Sequence, residues 1–346
     1  MDIETKIDLV KRRPTVELIN EDSLRAKLER GEILKHYIGF EISGKAHLGT
    51  GLIPYIKIND LLKTKSVKPT IFLADFHTYI NNKLGGNLEF IQYVAKTYFK
   101  GVFLSFGLEE VDYILASDIY DLDYWKLVLK IGSHTTVSRV KRSLRIMGRK
   151  ESDSNPSSYY IYPLMQAADI LFMNINLVEA GLDQRKVNML ALDVANKLHY
   201  EEPIVFHTAL LSSLKATGRM DPLDEKMSKS KPDTAIFVHD SEEEIKRKVM
   251  NAVCPVGIIE QNPIVDILKQ VLIRTDEEEF TIERAKKFGG DITLTIPEFE
   301  KEYKEKKIHP LDLKLFVYKR LSDLLKPSRD YFNKHKELLS VFDQHV

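Results

Sequence analysis

Across residues 1–215, short apolar runs alternate with stretches whose large apolar side chains recur every three to four positions. That alternation constrains the fold more than any other feature of the chain. ILKHYIGF at 33–40, TIFLAD at 70–75 and VDYIL from Val111 read as largely buried strands. Between the last two, Phe90, Val94, Tyr98 and Val102 form a helical stripe, and Val187, Leu190, Val194 and Leu198 form another. Strands separated by helices imply a parallel sheet with helices packed on its faces. Such sheets take ligands beyond the carboxyl ends of their strands.

The pattern stops at a polar stretch, residues 217–235, which reads as an exposed loop. After it the chain reads as helical. Ser241 with Glu244 three residues on is a capping-box pattern, with Ile245, Val249 and Val253 behind it. Pro310 opens a further helix with Leu311, Leu315, Tyr318 and Leu325 on its apolar side. The expected organisation is an α/β domain over 1–216, a loop over 217–236 and a mainly helical domain over 237–346. A length of 346 residues suits about two domains.

Composition narrows the function classes. Lys plus Arg and Asp plus Glu both number 51, so any nucleic-acid contact has to come from local patches. A single cysteine, Cys254, excludes an intrachain disulfide and a multi-cysteine zinc site, and no metal site is expected. No apolar run approaches the roughly 18 residues of a membrane helix. The acidic start, Met1-Asp2-Ile3-Glu4, has no signal-like apolar region, so a cytoplasmic location is expected.

Two motifs carry chemistry. In YIGFEISGKAHLGTG (37–51) a strand runs into a glycine turn and then a helix start. Free N–H groups at a helix start suit phosphate, His47 can donate to a phosphoryl oxygen, and glycine lets a base approach the backbone. Read alone, a histidine there is more often a cap. The second motif is Lys226-Met227-Ser228-Lys229-Ser230, two cations and two hydroxyls on a loop that can close over a triphosphate. A third cluster, Tyr162, Gln166 and Asp169, shares one face of a helix; by spacing alone it is a solvated polar face.

An HLG turn early in an α/β fold, followed by KMSKS, resembles the class I aminoacyl-tRNA synthetases. KMSKS matches at every position, whereas Thr50 stands where that family usually has a second histidine. With YPLMQAADI and GLDQRKVNML, the chain is similar to tyrosyl-tRNA synthetases of the archaeal and eukaryotic type along nearly its whole length. The resemblance implies a Rossmann-like catalytic domain with a helical anticodon-binding domain, and a ligase that activates tyrosine with ATP and transfers it to tRNA(Tyr). It implies that Tyr37 and Asp169 hold the phenol oxygen, that Tyr162, Gln166 and Gln184 surround the α-amino group, and that Asp75 and His77 line the pocket. Gly39, His47, Gly49, Thr50, Lys226, Met227, Ser228 and Lys229 would meet ATP, which brings Mg²⁺ with it. His47, Lys226, Lys229 and Ser230 would stabilise the departing pyrophosphate. Arg142, Arg185 and Lys186 would touch the acceptor stem, with a cytosine–guanine first pair preferred. Residues 137–150 hold six Lys/Arg and no acid, which fits phosphate contact. Phe288, His309 and Asp312 would read the anticodon, and a segment around 118–160 would form a homodimer interface.

A site built round a phenol rejects phenylalanine by leaving its buried partners unpaired, at about 1–3 kcal/mol each. The chain carries no large insertion resembling an editing domain. Three alternatives stay open: a tryptophanyl-tRNA synthetase, an adenylyl- or cytidylyltransferase with a related turn, and a tRNA-binding relative without catalysis. The Tyr37/Asp169 pair argues against the first, the anticodon-type segments against the second and the intact KMSKS against the third.

Overall fold

The computed structural model describes residues 1–148, 156–216, 227 and 232–343, the side chain of Phe288 excepted. Seven strands form one sheet: β1 (Thr15–Ile19), β2 (Leu34–Phe40), β3 (Val67–Lys68), β4 (Thr70–Leu73), β5 (Asp112–Leu115), β6 (Leu177–Gly181) and β7 (Ile204–Thr208). Their order is β1-β7-β6-β2-β4-β5, with the two-residue β3 also against β2. Every pairing is parallel except β1 with β7 at one edge. The sheet grows from β2 towards β5 in one direction and from β6 towards β1 in the other. A crevice therefore opens where that order reverses, above the carboxyl ends of β2 and β6.

The strand runs are shorter than the sequence suggests. β4 stops at Leu73 because Asp75 begins the Asp75–Ile80 helix. β5 stops at Leu115 because Ala116 begins another. The Phe90–Val102 stripe is helical, with a π-type turn at Ala95–Phe99 between two α-helical pieces. That wider turn helps Tyr98 and Phe99 both face the core, fully buried.

Beyond the sheet the described residues are mainly helical, with one small hairpin among them, β8 (Phe280–Ile282) and β9 (Ile292–Leu294). Ser241 caps the Glu242–Asn251 helix by accepting from Glu244 N, as expected, but the Glu244 carboxylate pairs with Arg247 rather than closing a box. The Pro310–Lys334 helix buries Leu313, Val317, Leu321 and Leu325. Leu311 is exposed and Leu315 and Tyr318 are half-buried, so the expected stripe lies two positions off, except at Leu325. The reason is tertiary: this helix is covered from both the Glu242–Asn251 helix and the Pro263–Ile267 helix, which selects the 313/317/321 row.

The polar loop also ends earlier than expected. Ala235 and Ile236 are fully buried, and Val238 N donates to Ala46 O (3.1 Å) while Leu48 N donates to Ile236 O (3.0 Å). A single apolar cluster runs from Phe40, Phe99 and Phe103 through Ile236 to Phe332 and Val341, so the C-terminal helices share a core with one face of the sheet.

Candidate active site

A cavity of about 520 Å³ occupies the crevice. Its walls come from the ends of four strands and the residues that follow them: Tyr37 to Glu41 at β2, Ala74 and His77 beyond β4, Ala180, Gly181, Asp183 and Gln184 at β6, and Thr208 to Leu211 at β7. The Tyr162–Phe172 helix adds Tyr162, Gln166 and Asp169, and the HLG turn adds His47, Gly49 and Thr50. Most of the residues singled out in the sequence as amino-acid or nucleotide contacts thus face one space. Asp75 does not line it.

One end is closed and aromatic. Asp169 is completely buried. Its Oδ1 accepts from Tyr120 Oη (2.7 Å) and Tyr124 Oη (2.9 Å), two hydroxyls that sequence reasoning missed. The signal was the aromatic cluster YDLDYW at 120–125, which nothing in the linear spacing ties to Asp169. Oδ2 has no partner among the described residues and faces His77 Nε2 at 3.7 Å, itself unpartnered. Burial pushes Asp169 up to about 7, opposed by the two tyrosine hydroxyls, and pulls His77 down to about 3, so its imidazole is neutral. An O–H placed against this pair finds an acceptor oxygen and a neutral ring. Tyr37 is buried beside them, its phenol raised well above the usual range by burial and by Asp169. A Cβ at Gly39 would collide with the Tyr37 hydroxyl, which is why glycine follows two residues on.

The Asp75 carboxylate is occupied elsewhere. It accepts from Phe76 N (2.9 Å), Ser117 N (3.1 Å) and Gln92 Nε2 (2.9 Å), and so joins the ends of β4 and β5. Next along the cavity, Gln166 Nε2 donates to Gln184 Oε1 (3.3 Å) and Gln184 Nε2 to Ile146 O (3.3 Å). Tyr162 packs edge-on against His77, with ring centroids 4.5 Å apart.

At the open end, a π-type turn at Leu48–Leu52 leads into the Ile53–Lys63 helix. His47 Nδ1 accepts from Gly49 N (3.1 Å), and His47 N donates to Thr50 Oγ1 (3.1 Å). With Nδ1 an acceptor, a neutral imidazole carries its proton on Nε2. The Thr50 hydroxyl closes the turn, a local role that needs no positive charge. Met227 is buried in the cavity wall and its N–H donates to Leu211 O (2.8 Å). Lys226, Ser228, Lys229 and Ser230 lie outside the described residues. Thr234 O accepts from Leu214 N (2.9 Å), which joins the residues on either side of that segment.

The remaining expected contacts lie apart. Arg142 is exposed and donates to Ser138 Oγ (2.9 Å), and Lys186 is exposed. Lys186 is in the first turn of the Arg185–Lys197 helix, and Arg142 belongs to a short element: the basic stretch forms a helix only over Val137–Ser143, then a 3₁₀ turn to Met147, and 149–150 lie outside the described residues. Arg185 holds Glu17. Far from the cavity in sequence, Arg284 donates to Gly290 O (2.8 Å) and Lys307 O (3.1 Å), which draws the turn containing Phe288 towards His309. His309 caps the Pro310–Lys334 helix through Leu311 N (3.1 Å), and Asp312 sits in its first turn. The Phe288 side chain is outside the described set.

The family model described as tRNA synthetases class I (W and Y) matches residues 29–326. A tyrosine–tRNA ligase of Thermococcus kodakarensis is 46% identical, over 99% of this chain and 98% of its own. The crystal structure of tyrosyl-tRNA synthetase complexed with L-tyrosine from Pyrococcus horikoshii superposes with a TM-score of 0.93 at 42% identity, covering 99% of this chain and all of the other. A tryptophanyl-tRNA synthetase from Aeropyrum pernix shares the fold, with a TM-score of 0.69 at 18% identity over 93% of this chain and 84% of its own.

Proposed function

The chain belongs to the class I tRNA synthetases of the tryptophan and tyrosine group, and from that membership we propose a reading of its site. Its activity is the ATP-dependent ligation of tyrosine to tRNA. The observation that carries the choice of tyrosine is the half-satisfied Asp169: one oxygen fixed by two phenols, the other open beside a neutral His77 at the closed end of the cavity.

In the first step the tyrosine carboxylate oxygen attacks the α-phosphorus of ATP. The new C–O–P linkage forms as the bond to the β-phosphate oxygen breaks, and pyrophosphate leaves with its charge. No enzyme nucleophile is needed; catalysis consists of positioning and of stabilising phosphate charge. Asp169 and Tyr37 hold the phenol, and Gln166, Gln184 and Tyr162 face the amino end. His47 Nε2–H and the loop residues Lys226, Lys229 and Ser230 act on the leaving pyrophosphate. Gly39, Gly49 and Thr50 let the nucleotide approach the backbone, and Mg²⁺ comes as part of the ATP substrate. In the second step a hydroxyl of the terminal adenosine of tRNA attacks the carbonyl carbon and AMP leaves.

Arg142, Arg185 and Lys186 take the acceptor stem, with a cytosine–guanine first pair, and Phe288, His309 and Asp312 take the anticodon. The chain works as a homodimer: Leu122, Leu129 and Val137, each about two-thirds or more exposed, are large apolar side chains on the segment between β5 and β6 that a second copy would cover. Its place is the cytoplasm; among the described residues no helix is long and apolar enough to cross a membrane.

The test is ATP–pyrophosphate exchange driven by tyrosine and, side by side, by tryptophan. Tyrosine-dependent exchange followed by charging of tRNA(Tyr) is expected. Exchange with tryptophan alone would overturn the substrate, and no exchange with either would favour a binding protein without catalysis.

A further inference from the structure

A chain of four side chains runs from the surface to the cavity wall. Arg185, about half exposed, holds Glu17 of β1: its Nε lies 2.9 Å from both carboxylate oxygens and its Nη2 2.9 Å from Oε1. Glu17 pairs directly across the antiparallel ladder with His207 of β7, and Glu17 Oε2 accepts from His207 Nδ1 at 2.7 Å. His207 is fully buried, and its Nε2 meets Asn188 Nδ2 at 3.1 Å. Asn188 lies three residues after Arg185 on the Arg185–Lys197 helix, is 1% exposed and lines the cavity. Its Oδ1 is buried and without a partner among the described residues.

The direction of each bond follows from the donor inventory. A carboxylate only accepts, so His207 carries its proton on Nδ1 and offers Nε2 as an acceptor. That acceptor requires the NH₂ of Asn188, which turns the amide oxygen away from the histidine. Burial and the Arg185 cation hold His207 low, whereas Glu17 acts the other way. If an anion drew Arg185 off Glu17, the unshared carboxylate would favour the imidazolium. Nε2 would then donate, and the Asn188 amide would have to turn over, exchanging oxygen for NH₂.

We propose that the Asn188 amide oxygen accepts a hydrogen bond from the substrate in the cavity, and that Arg185, Glu17 and His207 are positioning residues that set its orientation. An anionic group bound at Arg185 from outside, such as a tRNA phosphate, is then felt inside the cavity. The inference rests on the ligase reading above. The donor is either the ammonium of the amino acid or a ribose hydroxyl of the nucleotide.

The experiment is ATP–pyrophosphate exchange by the full chain without tRNA, for Asn188→Ala, Arg185→Gln, the double variant and Glu17→Gln, with thermal unfolding of each. Absence of exchange in the unmodified chain would strike the ligase reading and is established first. Asn188→Ala is expected to raise one KM about fivefold or more, the size of one lost hydrogen bond, with kcat changed less. A rise in the KM for tyrosine identifies the ammonium, and a rise in the KM for ATP the ribose. The amide of Glu17→Gln can donate to Nδ1 as well as accept from it, so the single histidine tautomer is lost, part of the Asn188 amides turn over, and the same KM should rise by about twofold. Arg185→Gln should raise that KM too, and the double variant should be no worse than about twofold beyond Asn188→Ala, because both act through one amide. Multiplicative effects overturn the coupling. So does a folded Glu17→Gln protein with both KM values unchanged. A lowered melting temperature without any change in KM would mark the chain of residues as purely structural and would also overturn it.

Discussion

Asp60 and Asp169 are both fully buried carboxylates, each on a helix against the central sheet, and their surroundings are opposite. Asp60 on the Ile53–Lys63 helix receives Arg12 Nη2 on Oδ1 (3.1 Å) and is gripped through both oxygens by Arg274, with Lys57 Nζ at 3.9 Å and Lys63 Nζ at 3.8 Å. Lys57 in turn donates to the carbonyls of Leu9, Val10 and Arg12, which close the end of the first helix. Among the described residues Asp169 has no cation at hydrogen-bonding distance, only two phenols on one oxygen. Where the fold needs a joint, the charge is cancelled from several directions. Where a ligand is to enter, one oxygen is left open and burial works against ionisation. The difference separates a brace from a site without any appeal to position in the molecule.

The largest effect should come from breaking the brace. Asp60→Ala leaves Arg274 and Lys57 without their carboxylate and should cost about 3–5 kcal/mol of stability, read from urea unfolding. The tyrosine KM of the protein that remains folded should stay within about twofold, since Asp60 lies outside the cavity. A lost KM with unchanged stability would reverse the assignment of the two carboxylates.

That brace was not legible in the sequence. Arg274 stands 214 residues from Asp60, and no local pattern relates them. The same holds for Tyr120 and Tyr124, which reach Asp169 from a separate segment. What was legible was local: the alternation that sets the sheet and the shared face of Tyr162, Gln166 and Asp169, fixed by periods of two and 3.6, and the turn before Leu48, marked by its glycines. The Leu311/Leu315 stripe misled because helix period alone leaves a choice of rows, and two neighbouring helices made that choice. Ala235 and Ile236 fall within the expected loop because their cover comes from Ala46–Leu48, far away in sequence.

Next in size, Asp169→Ala should raise the tyrosine KM roughly ten- to hundredfold, the loss of a hydrogen bond to a charged acceptor. Discrimination against phenylalanine in pyrophosphate exchange should erode with it. Unlike the Asp60 variant, it should lose little stability, because the residue removed was itself a burdened, half-paired carboxyl. Intact discrimination would mean that the phenol is held elsewhere.

A milder perturbation sharpens the contrast by pH. With Asp169 near 7, the carboxylate prevails at pH 8 and the acid at pH 6, so the tyrosine KM should be about tenfold higher at pH 6. Asp169→Asn should abolish that inflection. A profile that persists in the variant would assign the titration to another group.

The smallest effect tests the two phenols. Tyr120 stacks on Tyr124 with centroids 3.8 Å apart, so Tyr120→Phe keeps the ring packing and removes one donor to Asp169. That donor favours the ionised form, and without it the carboxyl should titrate above 7. At pH 7 the tyrosine KM should rise up to about fivefold, for a net hydrogen bond of about 1 kcal/mol. The rise should fade at higher pH, once the carboxyl ionises again. The stability effect has a defined sign as well. An acid whose folded pKa lies above its unfolded value near 3.8 binds the proton more tightly when native. Its contribution is therefore complete below about pH 4 and is lost as pH rises to about 7. In Tyr120→Phe that loss should continue to higher pH, while in Asp60→Ala the window should not move. If Tyr120→Phe shifted neither the KM profile nor the unfolding profile, the phenols would be packing groups rather than the partners that keep half of Asp169 satisfied.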